Sequence, residues 1–480
     1  MALTYPTEIS KARLAAAVAA TRLGYGARPG ELDWIADDPA GWLIRQLEGA
    51  GEGLPADLQG LPSSAEIWRE MSRAQAEGGA ALIAFRQKAE QARWEEAARH
   101  ILPAARGDAP FRERLVRFWV EFFGVGARDP VAGPFAHAFE REVIRPNLMR
   151  RYYDMLLAAV RHPAILLTTE NTASLAKRSP AGRDRVGDLR LELAERILGP
   201  YGLGAVGGAG VGPGRDRVYG GPDVRALAEM LTGWGVRQVG EGPETAPAVE
   251  RAPALPPAFR FDARVHAEGS KYFLGRNYPE AGVLEGEAAL DALTRTPAIG
   301  RRLAFEMARW FVADDPPEDL VDDLTLGYAE SGGALGGMAA ALASSPAAYE
   351  PSLRKLKRPD DLVLSVLRAF GDRSTDGAAI VGAIAALGQG PMDFAGPLGA
   401  PTSAAHWLKP GRFLDRFDWA AGEAVRRLAG DPAGPDVGIR MGFDVLGPLL
   451  SEQTFRRLAV ALDAGESAAL LFVSPEFQTR

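Results

Sequence analysis

The 480-residue chain carries 55 basic and 62 acidic residues, a net charge of −7, with 47% hydrophobic and 24% charged residues. This is the mix of a folded globular protein long enough for two or three domains. It excludes disorder over most of the length and argues against a basic nucleic-acid-binding face. No cysteine is present, which excludes disulfides, thiolate nucleophiles, iron–sulfur clusters and cysteine-ligated zinc.

Helical spacing dominates from the start. The Ala-rich run after Glu8, Lys11 and Arg13 reads as an amphipathic helix, not the apolar core of a signal peptide. Residues 63–100 predict a long surface helix or a helical hairpin broken at Gly78–Gly79. In 111–125 the apolar residues Leu115, Phe118, Trp119, Phe122 and Phe123 are dense enough to predict burial on most sides. Arg141 to Val160 and Gly187 to Leu198 predict two more helices. The Gly-rich stretch 199–221 predicts a loop. Pro222 and Asp223 then open a helix whose N-terminus favours the Asp223 carboxylate. A Pro-rich linker at 242–257 precedes a short β-hairpin at 258–276, turning at Glu268-Gly269. Helices resume from 285 to about 348, from 359 to 387, and to 472 after an irregular segment at 388–407. The expected fold is all-α, an irregular multi-helix bundle with that one hairpin. Three helical regions follow: 1–130, 131–280 with the Gly-rich loop and hairpin, and 281–480. No stretch of about 18 uncharged apolar residues predicts a membrane span, and cytoplasm is the default compartment.

Most signatures of chemistry fail their context tests. Gly202-x-Gly204-x-x-Gly207 matches the dinucleotide fingerprint in letters, but it follows a predicted helix where a strand is required. No phosphate loop, zinc-protease helix, calcium loop or nucleophile elbow occurs. The five histidines, His100, His137, His162, His266 and His406, contain no pair at i, i+4. No metal ligand and no cofactor are assigned. His162, before Pro163, predicts a helix cap, and His406 beside Trp407 predicts packing. Adjacent carboxylates such as Glu95–Glu96, Asp314–Asp315 and Asp360–Asp361 read as helix-start or solvated charges. Glu192 and Glu195 share one helical face. They read either as salt-bridge partners of Arg190 and Arg196 or as carboxylates entering a polar centre.

Ordered motifs along the whole chain carry a resemblance. They are ATRLGYGARPGELDWI near the start, FRERLVRFWVEFF, REVIRPNLMRRYYDMLLAAVRHPAILLTTEN and YGGPDVRALAEMLTGW. HAEGSKYFLG, RWFVADDPP, KLKRPDDLVLSVLRAFG, LGQGPMDF and the terminal LLFVSPEFQTR follow. In this order the chain resembles the bacterial family catalogued as domain of unknown function 1800. The resemblance also exposes departures. Where that family carries two histidines flanking an asparagine, this chain has Val120, Glu121 and Phe122. The family's His-Asp is His266-Ala267 here, and its Gly-Trp-Pro is Gly399-Ala400-Pro401. The family's Asn-Glu-Asn helix entry has no clear match, and only Glu192 and Glu195 remain of that helix.

Replacing imidazole by Val or Phe removes a ligand and a proton carrier and leaves an apolar wall. The expectation is therefore a non-catalytic binding or scaffold protein that has lost its family's polar centre. Its expected partner is a protein of the family called domain of unknown function 1501, which the resemblance places beside this one and which resembles the phosphatase/sulfatase fold, or a second copy of itself. The alternative is a hydrolase acting on a polar or polymeric envelope substrate, since family members are often exported. Its catalytic candidates are Glu192, Glu195, Asp223 and His266. Arg145, Glu170, Asn171, Arg225, Thr232, Trp234 and Lys271 would bind substrate or partner, with Arg145 or Lys271 neutralising an anion.

Overall fold

The computed structural model describes residues 5–6, 10–183, 187–204, 219–237, 258–394, 396–399 and 401–480. The Pro-rich stretch 242–257 and most of the Gly-rich loop, including Gly207, lie outside the described residues. The architecture is mostly helical with two small antiparallel sheets. Among the described residues no helix is long and apolar enough to cross a membrane.

Local chemistry sets the helix boundaries. Ser63 caps the Ser64–Glu77 helix, its hydroxyl accepting from the Glu66 amide while Glu66 reaches back, a reciprocal box that satisfies two orphan donors. That helix and Gly79–His100 are divided at Gly78, which sits at φ +68°. The Ala-rich N-terminal run forms Lys11–Val18 and a following π-helical turn, and Ala16, Ala17, Ala19 and Ala20 are wholly buried. Pro110 opens the helix Pro110–Phe123 and Gly124, at φ +64°, closes it.

That helix is the axis of the larger core. Trp119 and Phe122 pack edge-on at 5.3 Å, and Phe122 meets Tyr152 and Tyr201 at 6.3 and 6.5 Å. Such offset and edge geometries satisfy the ring quadrupoles. A second core gathers Leu362, Val366, Ile380, Ala420, Leu471, Phe472 and Phe477, with Tyr25 inserted from the N-terminal part. The C-terminus is tied in by two backbone hydrogen bonds between Lys355 and Arg480, at 2.9 and 2.8 Å.

Three elements differ from the sequence expectation. The segment 141–160 is broken: a π-helical turn, Glu140–Ile144, leads into Arg145–Asn147, and a new helix starts at Tyr152. Tertiary pairing wins there, because Arg151 bridges to Ala334 and the Tyr152 amide donates to the Gly333 carbonyl. Residues 187–191 are not helical, and the helix begins at Glu192. A wide turn, Gly199–Leu203, follows it with a kink at Gly202 (φ −123°, ψ −107°), so the start of the Gly-rich stretch is coiled against the helix end.

The small sheets also pair differently in detail. Strand β1, Trp234–Val236, pairs with β2, Phe259–Phe261. Strand β3, Lys271–Phe273, pairs with β4, Arg276–Tyr278. The tight turn is Leu274-Gly275, both at positive φ (+45° and +76°), and not Glu268-Gly269. Two residues at positive φ match the right-handed twist of the flanking strands.

Candidate functional site

The residues nominated from sequence divide into surface groups and structural partners. Glu192 and Glu195 are exposed, and Glu192 is held by Arg196 at 2.6 Å. Glu170 is exposed at φ +51° and faces Arg190 at 3.4 Å, and Arg225 is exposed. Asp223 caps its own helix: one oxygen accepts from the Gly220 amide at 2.8 Å, the other from Leu274 at 3.0 Å. Asn171 spends its amide on the Leu231 and Trp234 carbonyls. Trp234 is wholly buried beneath the Arg161 guanidinium, 4.5 Å from the ring centre.

Thr232, His266 and Lys271 do converge, around a carboxylate that sequence did not nominate. Lys271 Nζ lies 2.6 Å from Glu285 and donates to the Ala267 carbonyl at 2.6 Å. His266 places Nδ1 2.8 Å from the Thr232 carbonyl and Nε2 3.4 Å from Glu285. Burial alone would raise the Glu285 carboxyl, but hydrogen bonds from His266, Lys271 and the Ala281 amide hold it below its ordinary value. All of these groups are occupied with one another. Ala267 is wholly buried.

The positions at which the resemblance leads one to expect histidine, Val120 and Phe122, are packed. Val120 and Phe122 are 1% and 2% exposed. Glu121 points into a buried ion network, accepting from Arg358 at 2.6 Å and from the Trp310 indole at 3.0 Å. Arg117 reaches the same carboxylate at 2.7 Å. Arg114, Arg358 and Arg480 surround the Trp310 ring at 5.0–5.1 Å.

A cavity of about 90 Å³ with a mixed polar and apolar lining lies beyond this network. It is assembled from the end of Gly79–His100, the inner face of Pro110–Phe123 and the start of Pro359–Ala369. The π-turn at Glu140 and the helix Gly377–Ala386 complete it. The i, i+4 spacing of Glu113 and Arg117 puts both on the cavity side. The wide π-turn directs Glu140, Arg141 and Ile144 inward together, a distortion that recurs at functional sites. Gly377 permits the last wall to close: a Cβ there would stand 1.8 Å from the Ala98 carbonyl oxygen.

Within the cavity Arg145 bridges Glu113 at 2.7 Å and Glu140 at 2.8 Å. It is therefore neutralised, and is not a free anion receptor. His100 Nδ1 lies 2.9 Å from Glu140, and the His100 and His137 ring centres are 4.6 Å apart. Burial opposes ionisation of Glu140, but His100 and Arg145 hold its carboxyl well below the usual range. Burial, and then the neighbouring His100, push the His137 imidazole well below its usual value, so it is neutral at pH 7. Sequence inspection could not pair these histidines, since they sit on separate helices with no shared period. The one local signal was the polar density of Glu140-Arg141-Glu142 in an otherwise apolar helix.

A second, open depression of about 540 Å³ is lined by Trp34, Trp42, Arg45, Asp57, Arg106 and Arg112. Trp34 is half exposed and packs edge-on against Trp42 at 6.3 Å.

No curated protein and no solved structure matches the chain. The family model described as "Protein of unknown function (DUF1800)" matches residues 18–479, which spans both cores and the cavity. The chain belongs to that family, domain of unknown function 1800.

Proposed function

We propose that this protein is a non-catalytic binding or scaffold protein in which the family's polar centre has been filled. The observation that carries the reading is the packing of Phe122 among Phe118, Trp119, Tyr152 and Tyr201, with Val120 buried beside it. A catalytic carboxylate or imidazole needs a vacant neighbour into which a substrate atom can come. Asp223, His266 and Lys271 have none, being spent on amides, carbonyls and Glu285. The open depression at Trp34 has the volume and the amphipathic lining of a binding surface. Its partner, on this reading, is a second copy or a protein of the family called domain of unknown function 1501. The compartment we infer is the cytoplasm.

The test is a panel of chromogenic esters, phosphate monoesters and glycosides, run alongside light scattering of the purified chain. The expected outcome is no turnover above buffer and a mass at least twice the 51.2 kDa of one chain, alone or with the partner. Turnover that Asp223→Asn or Glu285→Gln abolishes would overturn the reading. One observation favours the second reading, a hydrolase: the cavity brings Glu113, Glu140 and a neutral His137 together. Turnover lost in Glu113→Gln but kept in Asp223→Asn would establish that alternative.

A further inference from the structure

We propose that His100, His137 and Glu140 form a binding site for a divalent transition-metal ion of the zinc class. The site is independent of the filled centre at Val120 and Phe122.

Each of the three residues offers one ligand atom, and these atoms all lie within 4.8 Å of one another. Two imidazoles and one carboxylate form a donor set that suits zinc, with the fourth, tetrahedral position left open. That position faces the cavity, which all three residues line. A second observation points the same way. Nδ1 of His137 is buried without a hydrogen-bond partner, in a side chain that is itself more than nine-tenths buried. A buried lone pair without a donor is costly, and a cation is the partner it lacks.

The surroundings orient the ligands. His137 Nε2 lies 3.1 Å from the Arg93 carbonyl, so Nε2 carries the proton and Nδ1 presents its lone pair. This backbone-anchored imidazole is the arrangement that fixes tautomer and ring direction at metal sites. His100 differs, because its Nε2 lies 3.0 Å from Arg141 Nη1. Without metal, Nε2 accepts from Arg141 and Nδ1–H faces Glu140. Loading would move that proton to Nε2, which then no longer accepts from Arg141; Arg141 turns away from it and keeps its acceptors Glu96 at 2.5 Å and the Pro62 carbonyl at 2.5 Å.

Charge is compatible. Glu96, Glu113 and Glu140 stand against Arg141, Arg145 and Arg112, the last 3.7 Å from Glu113, so carboxylates and guanidiniums next to the site balance. Arg117 and Asp360, on the far cavity wall, face each other at 3.5 Å and offset each other. A hydroxide or small anion in the open position would offset part of the charge that a dication adds. The ligands come from the end of the Gly79–His100 helix and from residues 136–140, so the ion would clamp these elements together.

The test uses the full chain, stripped with chelator and titrated with Zn²⁺, then with Co²⁺ as a spectroscopic substitute. One equivalent of zinc is expected, together with the strong visible bands of four-coordinate cobalt. Two downfield-shifted imidazole N–H proton signals should accompany them. His137→Phe and His100→Gln should each weaken binding by at least about tenfold, with unchanged circular dichroism. No binding by the wild-type chain overturns the proposal, as does binding undiminished in both variants. If either variant fails to fold, the wild-type cobalt spectrum decides: two histidine N–H signals support the site, and fewer overturn it. Because none of these readouts is turnover or association, failure here leaves the scaffold reading intact.

Discussion

The Glu121 carboxylate accepts a 2.6 Å hydrogen bond from Arg358, a residue 237 positions away, and both side chains are 1% exposed. The same oxygen accepts from the Trp310 indole. Removing Glu121 leaves two buried guanidiniums, Arg358 at 3.0 Å and Arg117 at 3.5 Å, to share the Asp360 carboxylate, so Glu121→Leu should cost about 3 kcal/mol. Urea denaturation measures this. A loss below about 1 kcal/mol would show that Asp360 alone compensates both cations.

The Lys271–Glu285 pair gives a parallel test in a smaller setting. Lys271→Met leaves Glu285 with the 2.8 Å bond from the Ala281 amide and the 3.4 Å approach of His266 but no full cation, and should destabilise the fold by about 3 kcal/mol. The double variant Lys271→Met, Glu285→Leu should recover more than half of that loss, since no charge then remains to be solvated. If the double variant is as unstable as the single one, the pair is not a mutual neutralisation.

Lys357 predicts a pH dependence. Its burial lowers the amine to about 7, against an ordinary value near 10.5. Between those values the unfolded chain binds more protons than the folded one, so stability rises with pH across pH 7–10.5. Below pH 7 both states are protonated and that stabilisation is absent. Relative to Lys357→Met, the wild-type stability should climb by up to about 1.4 kcal/mol per pH unit. A flat difference between the two proteins from pH 7 to 10 would contradict the burial-driven shift.

Glu192→Gln, Glu195→Gln and Arg225→Ala should each change stability by less than about 0.5 kcal/mol, because all three side chains are exposed. Melting curves suffice to check this. A larger effect, or a loss of partner association, would return these residues to the functional set.

Much of the helical scaffold was legible because it is written locally. The hairpin break at Gly78, the burial of Pro110–Phe123 and the Asp223 cap follow from residues within one or two turns of each other. His162 likewise caps the helix it precedes, its Nδ1 accepting from the Ala164 amide. The strands were harder. β2 finds its partner in β1 across the Pro-rich stretch, and a three-residue strand holds too little alternation to announce its pairing. The break at residues 148–151 was illegible because its cause, a bridge to Ala334, lies far along the chain.

The candidate site was the least readable part. Asp360 and Asp361 sit at a helix start, as expected, yet both are buried, with Asp361 2.6 Å from Arg114. A helix-start carboxylate looks the same in sequence whether it meets solvent or a guanidinium. By itself, the sequence determined the family and the helical class, since each is a property of residue identity and order. Only the tertiary structure decided that Glu192 faces solvent and that Asp223 is consumed as a cap. It alone brought His100 and His137 to 4.6 Å, because helix packing, and not local period, determines which buried polar groups meet.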